Sequence, residues 1–258
     1  MKYNRGIMVV LILLFTLFTI SWAANKSQAI QFAEPELEQA VRNAWGYTGP
    51  DTGSIYPEDV LGITYLDVGS EKLTSIEGIQ FLTNLTDLDF WGNQVSDISP
   101  LQNLTNLTDL DFSGNQVSNI YPLQNLTKLT GLVFGDNQVS DLSPVQNLTN
   151  LTDLYFNENQ VSSISPLQNL TKLRWLRFQD NQVSDISPLQ NLTNLTQLGF
   201  EYNQVSDISP LVNNSGLGTD DSIYLWYNNL DLTSGSKDMQ DIQTLIDRGA
   251  YVSYYPQN

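Results

Sequence analysis

The chain has 258 residues, 11 lysines and arginines against 28 aspartates and glutamates, and a formal net charge of −17. So acidic a surface excludes a phosphate backbone as partner, since binding nucleic acid needs a basic face, and it favours a basic or cationic one. The sequence holds no cysteine and no histidine, which removes disulfides, thiolate metal sites, a lipidated cysteine and the commonest general base.

Residues 1–23 read as a signal peptide. Lys2 and Arg5 give a positive start, Ile7 to Ile20 are almost wholly apolar, and Ser21-Trp22-Ala23 offers small residues at the cleavage positions. The alternative is an uncleaved anchor, because the apolar run approaches the length of a spanning helix. No later stretch suits a bilayer. The expected product is secreted or held at the cell surface, with no stable membrane insertion once the signal is removed.

Residues 24–62 are predicted to form a helical N-terminal cap. Pro35 suits a first helical position, Glu34 and Glu36 suit the positive end, Leu37, Val41 and Ala44 fall on one face, and Gly46 suits a stop. A second short turn is predicted at Tyr56-Pro57-Glu58-Asp59.

Residues 63–212 are organised by a repeat. Asn93, Asn115, Asn137, Asn159, Asn181 and Asn203 recur at one fixed interval, and the apolar positions recur with them. A constant period with constant apolar positions is the signature of a solenoid of the leucine-rich-repeat kind. Within one coil, alternation points Leu88 and Phe90 inward from a short strand and Asp87, Asp89 and Trp91 outward. Leu85, Val95, Ile98, Leu101 and Leu104 complete the lining. Phe90, Phe112, Phe134, Phe156, Phe178 and Phe200 share one inward column, which predicts an aromatic spine, and the asparagines are predicted to satisfy turn backbone groups. Pro100 and its equivalents predict short turns or 3₁₀ segments on the outer side. The first coil is degenerate, with Glu71 in place of the asparagine.

Residues 213–258 form a last irregular repeat and a C-terminal cap. The period would place the next asparagine at position 225, but it stands at Asn228, so an insertion is predicted near Gly216-Leu217-Gly218. Met239, Ile242, Leu245 and Ile246 recur at helical spacing before Gly249, and Val252 to Tyr255 suit a last strand. The predicted class is therefore an α/β repeat: a parallel sheet on the concave face, short turns outside, a helical cap at the start and a helix-containing cap at the end.

The pattern Leu-Thr-x-Leu-x-Phe-x-x-Asn-Gln-Val-Ser-x-Ile-Ser-Pro-Leu-Gln-Asn-Leu-Thr resembles the internalin type of bacterial leucine-rich repeat, over about Ile30 to Val212. The stretch Ile30 to Arg42 is similar to the helical cap of that family. The resemblance implies a secreted or surface protein that grips another protein with its concave strand face. Phenylalanine stands where the family usually places leucine. The sequence shows neither an immunoglobulin-like segment after the repeats nor a Leu-Pro-x-Thr-Gly sorting motif, so host invasion is not implied.

Function is sought at the outward strand positions, which vary while the framework repeats. An acidic patch is expected from Asp67, Asp87, Asp89, Asp109 and Asp111. A partner-binding set is expected from Trp91, Tyr155, Arg174, Trp175, Arg177, Tyr202, Tyr224 and Trp226, because aromatic and arginine side chains dominate binding hot spots. The expected ligand is a protein, with a basic one favoured. Calcium suits several carboxylates, but no loop has the spacing of a calcium motif, so no metal and no cofactor is expected. No catalytic residue is expected either, since an open strand face desolvates no carboxylate. The alternative is a structural or surface-layer repeat protein serving adhesion, cation binding or, through its threonine columns, ice binding.

Overall fold

The computed structural model describes residues 27–49 and 53–258, so the signal-peptide prediction falls outside the described residues. Helix α1 spans Pro35–Trp45 with proline in its first turn and Glu36 and Glu38 near its positive end. Gly46 ends it at φ 72°, a left-handed conformation that glycine adopts without a Cβ penalty, and the amide of Tyr47 reaches back to the Arg42 carbonyl at 3.1 Å. Leu37 and Val41 are buried as predicted, but Ala44 is exposed. The last turn packs through Trp45, and Ala44 lines a groove beside the first strand. A 3₁₀ turn at Pro57–Val60 follows, closed by the Tyr56 amide on Asp59 Oδ2 at 2.9 Å.

Nine three-residue strands then build one parallel sheet in chain order: β1 Tyr65–Asp67, β2 Asp87–Asp89, β3 Asp109–Asp111, β4 Gly131–Val133, β5 Asp153–Tyr155, β6 Trp175–Arg177, β7 Gln197–Gly199, β8 Ser222–Tyr224 and β9 Tyr251–Ser253. The sequence period is the register itself: Tyr65 pairs with Asp87, Asp87 with Asp109, and so on to Trp175 with Gln197. The convex side consists of 3₁₀ turns: Ser99–Leu101 and Ser165–Asn169 have proline at the second residue, whereas Ile79–Phe81 in the first coil has none. Helix α2, Ser209–Asn213, replaces the 3₁₀ turn in the last regular coil.

Two columns run the length of the stack. Phe90, Phe112, Phe134, Phe156, Phe178 and Phe200 are fully buried, with successive ring centroids 5.5 to 5.8 Å apart and planes 9° to 15° from parallel. Those separations exceed the strand spacing of about 4.8 Å and lie in the range in which near-parallel aromatic rings attract. Beside them, each repeat asparagine sits buried between two coils. Asn93 Nδ2 donates to the carbonyls of Val68 and Phe90 at 2.9 and 2.8 Å, and its Oδ1 accepts the Leu73 amide at 2.8 Å. Buried backbone groups left unpaired by the turn are thereby satisfied.

The slip in period is housed after α2. Gly216 rests against the Thr193 carbonyl so closely that a Cβ would lie 2.0 Å from that oxygen. The pairing of Gln197 with Ser222 shows the lengthened coil. Helix α3, Lys237–Asp247, is capped by Ser236, whose hydroxyl accepts the Met239 amide at 3.2 Å. Ile242 and Leu245 close the core, while Ile246, on the predicted apolar row, faces solvent one position past the contact. Gly249 turns the chain at φ 98° into β9, which starts one residue earlier and ends two residues sooner than the predicted strand.

Candidate protein-binding face

The parallel register assembles the outward residues into columns. One reads Tyr65, Asp87, Asp109, Gly131, Asp153, Trp175, Gln197, Ser222, Tyr251; the next reads Asp67, Asp89, Asp111, Val133, Tyr155, Arg177, Gly199, Tyr224, Ser253. The face thus passes from acidic to aromatic along the stack.

At the acidic end, Asp87, Asp89, Asp109 and Asp111 surround a shallow depression of about 210 Å³, with Tyr65 at one rim and Gly131 and Val133 at the other. The depression exists because Gly131 interrupts its column, and the Asp109 carboxylate leans over the gap, 2.5 Å from where a Cβ would stand. Asp67 falls outside it, in the groove beside α1. Asp67, Asp89 and Asp111 also serve the backbone: each accepts the amide two residues on, from Gly69, Trp91 and Ser113 at 2.9, 3.1 and 2.8 Å. These turns explain the aspartates at the strand ends without a ligand. The place of Asp89 is electrostatically unfavourable: burial pushes its carboxyl above the usual aspartate value, the Trp91 amide opposes that, and the neighbouring Asp111 and Asp67 add to it. Among the described residues, no three carboxylates come together as a metal site would require.

Trp91 is separated from the other predicted aromatics. Its indole lies across Gly69, whose absent side chain makes the room, and it stays 48% exposed at the acidic end. In the middle of the sheet the β5 and β6 register sets Tyr155 opposite Arg177 and Trp175 opposite Asp153. Trp175 is 46% exposed, and Arg177 Nη2 donates to Gln197 Oε1 at 3.0 Å. Burial, then the neighbouring Asp153, raises the Tyr155 phenol above its ordinary value, against the pull of Arg177. Arg174 is exposed at the start of that strand, in the column that Thr86, Thr108, Thr130 and Thr152 occupy in earlier coils. Those threonine hydroxyls donate to carbonyls one coil back, so this column is committed to the backbone.

The C-terminal aromatics form a separate group. Tyr202 is not on the strand but on the turn after it, at φ 53°, the position held by Gly92 and Gly114 in earlier coils. Its ring stacks on Tyr227 at 4.4 Å and 15°, with Trp226 tilted against both. Trp226 Nε1 and Glu201 Oε2, in adjacent coils, are buried without hydrogen-bond partners. Tyr224 meets Tyr251 edge-on at 5.9 Å. Tyr65, Tyr227 and Tyr251 escaped the sequence reading. Tyr65 and Tyr251 are each 60% exposed, and the signal for Tyr65 was present, one period before Asp87.

An open parallel sheet, unroofed and lined by varying side chains over an invariant framework, defines a leucine-rich-repeat scaffold. The family model for leucine-rich repeats (two copies) matches residues 83–125, 127–169 and 171–213. Internalin C2 from Listeria monocytogenes is 36% identical, with a TM-score of 0.75, covering 86% of this chain and 94% of that one. The chain belongs to the internalin-type family of bacterial leucine-rich-repeat proteins. A Leptospira interrogans leucine-rich-repeat protein, LIC12759, shares the fold at 20% identity and a TM-score of 0.66, over 78% of this chain and 51% of that one. Among curated protein sequences none matches significantly. No helix among the described residues is long and apolar enough to cross a membrane.

Proposed function

We propose that this protein is a secreted or surface-held binding module that grips a protein partner with the middle and C-terminal part of its concave face. The carrying observation is Trp175, half exposed beside Tyr155 and Arg177 on a sheet whose own packing is complete beneath it. Large aromatic and arginine side chains concentrate binding energy, and nothing in the coil framework requires them there. Tyr224 and Trp226 extend the surface, with Tyr202 and Arg174 at its rims. The acidic depression at the other end favours a partner with basic residues, because like charges at Asp89 and Asp111 are relieved by a cation brought in on the ligand. The role is recognition and not catalysis, since the face is open and its carboxylates line a shallow depression rather than a closed cleft.

The test is capture of proteins and glycans by the mature chain, in parallel with a variant carrying alanine at Tyr155, Trp175, Arg177 and Trp226. A partner held only by the unmodified chain supports the reading. Equal capture by both chains contradicts it, and no capture by either favours a structural repeat protein.

A further inference from the structure

We propose a second docking site, separate from the concave face: the open edge of β1, walled by α1, accepts an extended basic segment of another protein as a tenth strand. The first strand of the sheet has a neighbour on one side only among the described residues. Its even-numbered flanking residues serve that neighbour: Thr64 O accepts the amides of Thr86 and Asp87, and the Val68 amide donates to Asp89 O at 2.8 Å. The amides and carbonyls of Tyr65 and Asp67 therefore point to the far edge, where no strand of the described residues meets them. Such an edge is a template for a further strand, and natural proteins usually cover it.

Here it is left open and shaped. A groove of about 640 Å³ runs between β1 and one face of α1, the face that carries Glu36, Ala40 and Ala44. From Glu36 to Ala44 the helix rises about 12 Å. That length matches about four residues of extended chain, the span over which one strand pairs with another. Ala40 and Ala44 keep the wall low enough for a backbone to approach β1, which explains why Ala44, on the predicted apolar row, is not in the core.

Charge selects the occupant. Glu36, Asp67 and Glu71 line the groove, and among the described residues no lysine or arginine does. A strand bearing lysine or arginine complements them, whereas a second copy of a chain with net charge −17 meets like charge. The site shares only Tyr65 and Asp67 with the columns of the concave face, so both sites can be occupied by one extended partner or by two.

The probe is a fluorescent Lys-Val-Lys-Val-Lys-Val peptide, compared with a Glu-Val counterpart and with a copy N-methylated at alternate residues. The proposal expects saturable binding of the first, weakened about tenfold or more by methylation, which removes the donors along one edge, and absent for the acidic peptide. Ala44→Trp fills the groove from an exposed position and abolishes binding; Glu36→Lys with Glu71→Lys weakens it; alanine at Trp175 and Trp226 leaves it unchanged. Equal binding of methylated and unmethylated peptide, indifference to Ala44→Trp, or no saturable binding overturns the proposal. Concentration-dependent dimerisation abolished by Ala44→Trp also overturns it, by giving the edge to a second copy.

Discussion

Asn115 holds Val95 from the next coil: its Oδ1 accepts the Val95 amide at 2.9 Å, while its Nδ2 donates to the carbonyls of Phe90 and Phe112 at 3.1 and 3.0 Å. The same buried amide recurs from Asn93 to Asn228, where it accepts from Val205 at 3.0 Å. Coil is therefore tied to coil by a polar ladder as well as by the phenylalanine spine.

Replacing Asn115 by alanine leaves the buried Val95 amide without its acceptor, while the Phe90 and Phe112 carbonyls keep the side-chain amides of Asn93 and Asn137 as donors. The expected loss is about 1 to 3 kcal/mol, the cost of one unsatisfied buried group. Asn115→Asp keeps the acceptor for Val95 but turns a buried carboxylate oxygen onto the Phe90 and Phe112 carbonyls, and is expected to be no better. Urea unfolding of the two variants checks this; a loss below about 1 kcal/mol for Asn115→Ala would show that the ladder is incidental.

Phe134 lies mid-spine between Phe112 and Phe156, with no exposure. Phe134→Ala is expected to cost about 3 to 5 kcal/mol through the cavity it opens. Phe134→Leu, which restores the residue usual in the family, is expected to cost about 1 to 2 kcal/mol, because neighbouring rings lose their stacking but the space stays mostly filled. Thermal or denaturant melts read both, and equal costs would contradict the account of the spine.

Acid titration should separate two groups of carboxylates. Asp89 has a raised folded pKa, so the native state binds more protons than the unfolded state just above the ordinary aspartate value, and stability falls as pH rises through that window. Asp141 and Asp207 are held below the ordinary value by the amides and hydroxyls of Ser143 and Ser209. Their contribution is present above that value and is lost as pH falls through their lowered folded values. Asp89→Asn is therefore expected to melt higher than the parent at pH 7, with the advantage shrinking as pH falls through the carboxylate range. An advantage that is constant with pH would contradict the electrostatic origin.

Gly216→Ala is expected to destabilise the C-terminal coil, because the added methyl meets the Thr193 carbonyl oxygen at 2.0 Å and backbone must move. A loss of about 2 to 4 kcal/mol is anticipated, with amide exchange in α3 and β9 accelerating before exchange in β3 to β5. Uniform exchange across the sheet would show that the last coil is no softer than the rest.

Much of this was legible in the sequence because a solenoid turns sequence period into spatial register: the interval between repeat asparagines became the interval between paired strands, and the inward column of phenylalanines became a stack. Local signals sufficed for Pro35, Gly46 and the proline-led convex turns, since each acts on its own backbone. What failed depended on the third dimension. Ala44 fits the apolar row of α1, yet only the packing of the cap against β1 decides that it faces a groove. Asp67, Asp89 and Asp111 read in sequence as members of an acidic patch, and their service to amides two residues on is visible only with the strand ends in place. Tyr202 fits the strand face by sequence, but its positive φ puts it on the turn, where Tyr227 stacks on it.

The central claim is that the partner lies on the concave face, and contact mapping by photo-crosslinking tests it most directly. A benzophenone amino acid is placed at position 175, on the exposed face of β6, and separately at position 168, in the convex turn Ser165–Asn169. Irradiation with the captured partner should give a crosslinked species from position 175 and none from position 168. Crosslinking from 168 alone, or equally from both, would contradict a concave-face recognition site.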